Sequence, residues 1–263
     1  MDWLRLIGRD LSGLFFITIL LSLTIFLPPD KSLDEVLKQG AIRVCLPRVY
    51  PPLVTDDPTR PGIDVELLQE IADRLDLTLL FTTSEVIGRD FNPRNWGITR
   101  ANCQIIAGGV VDSNLTRSFI DTGPAYATTG WAIIAPIPVN DLEGATVGAL
   151  TIISGLDRLA LSRYLRDNNV SVQIFRNTTQ IIDAFNKNDV DAVITESLMA
   201  RHIAVANGWA TTSLPPELSD HNVVFGLWKG DLTLKRRISE IFQELEQDGT
   251  LTKILEKYGV MEL

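Results

Sequence analysis

The sequence predicts an α/β protein of two lobes joined by a pair of extended crossing segments, with an N-terminal hydrophobic helix ahead of them. Two observations carry this fold class. Strand-like and helix-like patterns alternate in residues 41–107 and again in residues 145–206. That is the pattern of βαβ units, which build parallel sheets with helices on their faces. Two apolar extended segments, 131–136 and 223–228, bracket the second set, so the chain leaves the first half and later returns to it. Such halves form a clamp whose cleft faces the carboxyl ends of the strands, where small ligands usually lie.

The N-terminal run 11–27 holds no charge; Arg5 and Arg9 precede it and Pro28-Pro29 end it. As a helix it is about 25 Å long, just short of a ~30 Å hydrocarbon core. A basic front and an apolar middle match a secretory signal. Bulky Ile25-Phe26-Leu27 stands where a small-x-small cleavage site is expected, so a cleaved signal and an uncleaved anchor both remain open. The run has no polar face of the kind a buried helix turns to water. Arg5 and Arg9 favour a cytoplasmic N-terminus, which puts everything after Pro29 outside. No cysteine is near, so an acylated lipoprotein is excluded. Residues 1–33 are thus read as signal or anchor, 34–130 with 223–263 as the first lobe, and 131–222 as the second.

The first lobe starts with a short helix signal in 30–38 and a strand at 41–46. Five prolines make 47–61 a loop. Apolar residues at 63, 67, 68, 71 and 75 form a helical stripe. Strands follow at 77–81 and 103–107, the latter followed by Gly108-Gly109. The second lobe reads strand 145–150, helix 155–165, strand 171–175, helix 179–186, strand 191–195 and helix 198–206. The tail 234–258 is two amphipathic helices broken at Asp248-Gly249.

The formal charge is −9, with a pI of about 4.8. Asp2, Arg5, Arg9 and Asp10 cancel, so all of that charge lies beyond residue 29. An acidic chain with no basic run is a poor partner for nucleic acid, whose binding depends on phosphate neutralisation. The two histidines, His202 and His221, make no HExxH, and there is no GxSxG, P-loop or GxGxxG. No cofactor or metal is called for. The two cysteines, Cys45 and Cys103, each sit at a predicted strand, outside the cell where thiols oxidise. They are either a bridge, worth about 4 kcal/mol by chain entropy, or two buried free thiols.

Several short motifs now line up in order. They are Gly40-Ala41-Ile42-Arg43-Val44 with Tyr50-Pro51-Pro52-Leu53, Pro61-Gly62-Ile63-Asp64-Val65-Glu66-Leu67 with Ile71-Ala72-Asp73-Arg74-Leu75, and Thr116-Arg117 with Phe119-Ile120-Asp121 and Pro124-Ala125-Tyr126. Asp141-Leu142-Glu143-Gly144-Ala145-Thr146-Val147-Gly148, Asp191-Ala192-Val193-Ile194-Thr195-Glu196-Ser197, Lys229-Gly230-Asp231 and Asp248-Gly249-Thr250-Leu251 complete the series. Over residues 34–260 the chain resembles the family 3 bacterial solute-binding proteins, the periplasmic receptors of ABC importers for polar amino acids. The resemblance implies a type II periplasmic-binding-protein fold and an amino-acid-like ligand held between the lobes.

An amino acid enclosed in a cleft needs a cation for its carboxylate and an anion for its ammonium, because an unpaired buried ion costs several kcal/mol. Arg117 is the candidate for the carboxylate, since its planar fork donates two parallel hydrogen bonds. Glu196, at a strand's carboxyl end, is the candidate for the ammonium, although a residue there can also simply cap the next helix. Ser154 and Gly155 open a helix whose free N–H groups favour an anion, and Ser154 is equally an ordinary N-cap. Tyr50 would lie against the ligand's apolar part or pack on Pro51. Gly109 and Asp112 join the candidates from the stretch before Arg117, with Asp112 as a second cation partner or a turn former. Asn114 replaces the family's usual Thr, and Glu196 its usual Asp.

The expected function is therefore a non-enzymatic binding protein that closes by a hinge motion and docks on an ABC permease in the membrane. Two rivals remain: a sensor or accessory binding module without transport, and a dehydratase-like enzyme on the same fold.

Overall fold

A computed structural model of the chain describes residues 15–19, 22, 29–84, 86–87, 93–139, 141–150 and 156–260. The chain divides into two compact units, Met1–Lys31 and Ser32–Leu263. In the first, residues 15–19 and 22 are helical with exposed side chains. Most of the apolar run 11–27 lies outside the described residues, and among those described no helix is long and apolar enough to cross a membrane.

The second unit holds two five-stranded mixed sheets. The first begins with helix α1 (Ser32–Gln39), strand β1 (Ala41–Leu46), helix α2 (Ile63–Arg74), strand β2 (Thr78–Thr83) and strand β3 (Ile105–Val111). A short helix α3 (Asn114–Phe119) and strand β4 (Asp121–Thr129) follow, and strand β10 (His221–Leu227) returns much later to give the order β2-β1-β3-β10-β4. β1 runs parallel to β2 and β3, while β10 is antiparallel to β3 and β4. β3 is buried at every residue, which is why it reads as a continuous apolar run rather than an alternation.

The second sheet is built from β5 (Trp131–Ala135), β6 (Thr146–Leu150), helix α4 (Arg158–Asp167), β7 (Ser171–Phe175), helix α5 (Thr178–Asn186), β8 (Ala192–Glu196), helix α6 (Ser197–Asn207) and β9 (Ala210–Ser213). Its order is β7-β6-β8-β5-β9. Side-chain caps start its helices: Asp157 accepts from Leu159 and Ala160 N–H, and Asn177 from Gln180 N–H. Gly208, at φ 68°, ends α6 in the left-handed conformation that glycine adopts without strain. Helices α7 (Pro216–Ser219), α8 (Leu232–Gln247) and α9 (Thr250–Lys257) complete the chain, with the tail broken at Asp248-Gly249 as expected.

The crossings are narrower than the sequence pattern suggests. β5 and β10 are full members of opposite sheets, so the chain changes lobe at Gly130 and again between Ser219 and His221. The two crossings touch there: a Cβ on Gly130 would lie 2.1 Å from Ser219 Cα, so only glycine fits. β4, like β9, is a strand the sequence pattern does not reveal. It contains Gly123 and Pro124 and lacks a strict alternation, and its pairing with β10 overrides that weak local preference.

One apolar core runs from the first lobe (Tyr50, Leu53, Val54, Tyr126) into α6 of the second (Leu198, Met199, Ala200, Ile203), so the lobes are packed against each other. A separate cluster surrounds the bond between Cys45 and Cys103, whose Cα atoms are 5.5 Å apart. Among the described residues neither cysteine is free.

Candidate functional site

Parallel β1 and β3 run out at the same end of the first sheet. Tyr50 lies just beyond β1, and Asp112 just beyond β3. Ser113 then starts α3 by accepting from Thr116 N–H at 3.1 Å, which places Arg117 in the helix's last turn. The Arg117 guanidinium folds back on Asp112 as a two-pronged pair, Nε to Oδ1 and Nη2 to Oδ2, each 2.6 Å. Two of its five donors are used, and its side chain is 58% exposed against 14% for Asp112. These bonds hold the Asp112 carboxyl below the usual range, because a guanidinium stabilises the ionised form.

Glu196 ends β8 and caps α6. It is 1% exposed. Leu198 N–H and Met199 N–H each donate to it at 2.9 Å, Thr129 Oγ donates as well, and the Tyr50 hydroxyl donates from the first lobe at 3.2 Å. A carboxylate has about four acceptor positions, and all are served by the protein. Burial nevertheless pushes its pKa up, against those four bonds.

Gly109 makes room for Tyr50. At φ 87° a Cβ there would come within 3.1 Å of the tyrosine ring. Beneath it Asp64 is fully buried; Tyr126 OH and Gly108 N–H each donate to it at 2.6 Å. In the sequence Asp64 stands out only as part of the Pro61–Leu67 motif. Its place in an apolar helix start just after Gly62 is the sequence signal that could have singled it out.

The structure therefore brings the candidates together as two groups. Tyr50, Gly109 and Glu196 form one, spanning the lobes, and Asp112 with Arg117 forms the other. Asp112 N–H bonds to Asn222 O at 2.9 Å, and Asn222 pairs with Thr128, next to the Glu196 partner Thr129. Two strand spacings, about 10 Å, thus separate the backbones of Asp112 and Thr128. Ser154 and Gly155 lie outside the described residues.

The described residues thus form two five-stranded sheets whose lobes are joined by the Tyr50–Glu196 bond, with the Arg117–Asp112 pair on the first. The model of the bacterial extracellular solute-binding proteins, family 3, matches residues 42–261. The chain belongs to that family. Its fold is shared by an ancestral cationic amino acid solute-binding protein, at TM-score 0.70 and 18% identity over 86% of this chain and 99% of that one. It is shared also by a substrate-binding protein of an ABC uptake transporter from Streptococcus pneumoniae with bound histidine, at TM-score 0.68 and 16% identity over 88% and 96%. A curated relative, the membrane-bound lytic murein transglycosylase F of Cronobacter sakazakii (strain ATCC BAA-894), is 22% identical over 250 residues, which cover 87% of this chain and 45% of that protein. The chain thus spans less than half the length of that relative.

In this member of the family the Tyr50–Glu196 bond is a polar tie between lobes, and its removal measures what the tie contributes to stability. Tyr50→Phe is expected to lower the unfolding free energy by about 1 kcal/mol, the usual net worth of one hydrogen bond, with the desolvation of Glu196 setting the upper end near 3. Urea unfolding of both proteins measures it, and unchanged stability would mean that the lobes do not meet through this bond in solution.

Proposed function

We propose that the protein is an extracytoplasmic, non-enzymatic binding protein, secreted into the periplasm or held at the inner membrane, that takes an amino acid or similar small zwitterion between its lobes and delivers it to an ABC permease. The Arg117–Asp112 pair carries this reading. It offers a cationic fork and a carboxylate side by side, just beyond the carboxyl end of β3, with three Arg117 donors uncommitted among the described residues. The ligand's carboxylate goes to Arg117 and its ammonium to Asp112. Glu196, with its acceptor positions served within the protein, holds α6 and Tyr50 in place. The amino-acid ligands named for the structural neighbours support the same class.

A panel of amino acids and organic acids tested by thermal shift identifies the ligand, because binding to the folded form alone raises the melting temperature. Arg117→Ala is expected to weaken that ligand about a hundredfold by calorimetry, as loss of a charge-paired partner does. The free protein should lose some stability too, because Arg117 is largely exposed but the carboxylate it leaves behind, Asp112, is only 14% exposed. Unchanged affinity would defeat the assignment, and turnover of a prephenate-like acid would replace it with an enzymatic one.

The likeness to part of a murein transglycosylase favours one other reading, a binding module that does not feed a transporter. Uptake of the labelled ligand by cells with and without the protein separates the two: equal uptake leaves the module.

A further inference from the structure

A groove of about 590 Å³ lies along the seam of the lobes and contains none of Tyr50, Gly109, Asp112, Arg117 or Glu196. One wall is α6, which contributes Leu198, Arg201, His202 and Val205, spaced to share one helix face. The opposite wall is the loop after Tyr50, with Pro52 and Arg60, closed at one end by the segment around Tyr258.

Two arginines, Arg60 and Arg201, line the groove from different lobes. Arg60 donates from Nη2 to Lys257 O at 2.5 Å, with its Cζ 5.2 Å above the Tyr258 ring. Arg201 donates from Nη1 to Gly259 O at 3.2 Å. Those two carbonyls are two residues apart in the chain, hence within about 7 Å of each other. Neither arginine forms an ion pair with a carboxylate among the described residues, whereas the nearby Lys257 is held by Glu66 at 2.6 Å. Of the wall's two acids, Asp57 is turned into its own loop by Thr59, at 2.8 and 2.7 Å, which leaves Asp56. Each arginine spends one of five donors on a carbonyl, and the rest match an oxyanion. Beside them Val205 is 79% exposed, and the half-buried Pro51 adds apolar surface.

We propose that this groove is a second ligand site, distinct from the clamp, for a small organic acid with an apolar body. Its carboxylate is shared between Arg60 and Arg201, and its body lies along Val205 and Pro51. The ligand spans the seam, so the complete site exists only while the lobes are together.

Phenylbutyrate is a suitable probe on the full-length protein, observed by saturation-transfer NMR. A ligand of about a dozen non-hydrogen atoms is expected to bind in the low millimolar range. Phenylbutylamine, the same body with the opposite charge, should not bind, and inorganic phosphate should compete only weakly. The double variant Arg60→Gln with Arg201→Gln should weaken phenylbutyrate about tenfold or more. Val205→Asp, at an exposed position that leaves the fold intact, should do the same by repulsion. Arg117→Ala should leave phenylbutyrate binding unchanged, so that failure of the clamp reading and failure of this one are told apart. Equal binding of the amine, binding that survives both variants, binding lost in Arg117→Ala, or no binding at about 10 mM would each overturn the proposal.

Discussion

Removing the Cys45–Cys103 bridge, by reduction or by the double change Cys45→Ala with Cys103→Ala, is expected to lower the unfolding free energy by about 4 kcal/mol. The bond closes a separation of 58 residues, and in the chain-entropy account that constraint on the unfolded chain is worth about this much. For a lobe pair of this size the melting temperature should fall by about 10 °C. The loss should reach the site as well. The bridge ties Cys45, near the end of β1, to Cys103, just before β3. Those are the two strands whose ends carry Tyr50 and Asp112. Both sulfurs sit in the cluster with Trp96, Ile106 and Val224, so replacing them with alanine leaves no polar group buried. Thermal melts with and without reductant, set beside the double variant, measure the effect. A loss under about 1 kcal/mol in both would show that the unfolded chain is already compact enough to make the tie redundant.

What could be read in advance follows from how local each signal is. β1 and β7 come out at the expected residues, Ala41–Leu46 and Ser171–Phe175, because short runs rich in apolar and β-branched residues are bounded by Gly40 or polar turns. The tail helices were legible from their apolar period and from Gly249, at φ 74°. The site is less local. The Tyr50–Glu196 bond joins residues 146 apart, and no periodicity carries that. Asp112 and Arg117 are five apart, yet their pairing depends on α3, a six-residue helix started by Ser113, which no amphipathic pattern announces. Asp64 was hidden for a different reason. In the first turn of α2, beside Glu66, it looks like a charge placed for the helix dipole. Its burial is set by Gly108 and Tyr126, 44 and 62 residues away.

Asp64 also sets the second large expectation, a stability that falls as pH rises through the mildly acidic range. Burial lifts its pKa from 3.8 to about 6, despite hydrogen bonds from Tyr126, Gly108 and Gly109 that pull the other way. Between those two values the folded protein holds a proton that the unfolded chain has released. Stability contributed by this group is therefore full below about pH 4 and lost by about pH 6, a change of about 3 kcal/mol. Glu196, also raised by burial, acts with the same sign. Asp248, held at about 2 by Thr250 and Arg74, acts with the opposite sign, but only as pH falls from 3.8 toward 2. Asp64→Asn keeps the shape, can accept from Gly108 N–H and can donate to the Tyr126 oxygen, while removing the charge. Its stability should exceed the parent's by up to about 3 kcal/mol near pH 7.5 and lose that advantage near pH 4. Urea unfolding at the two pH values decides the matter. Parallel pH profiles for the two proteins would mean that Asp64 titrates normally, and that its bonds to Tyr126 and Gly108 offset the whole cost of its burial.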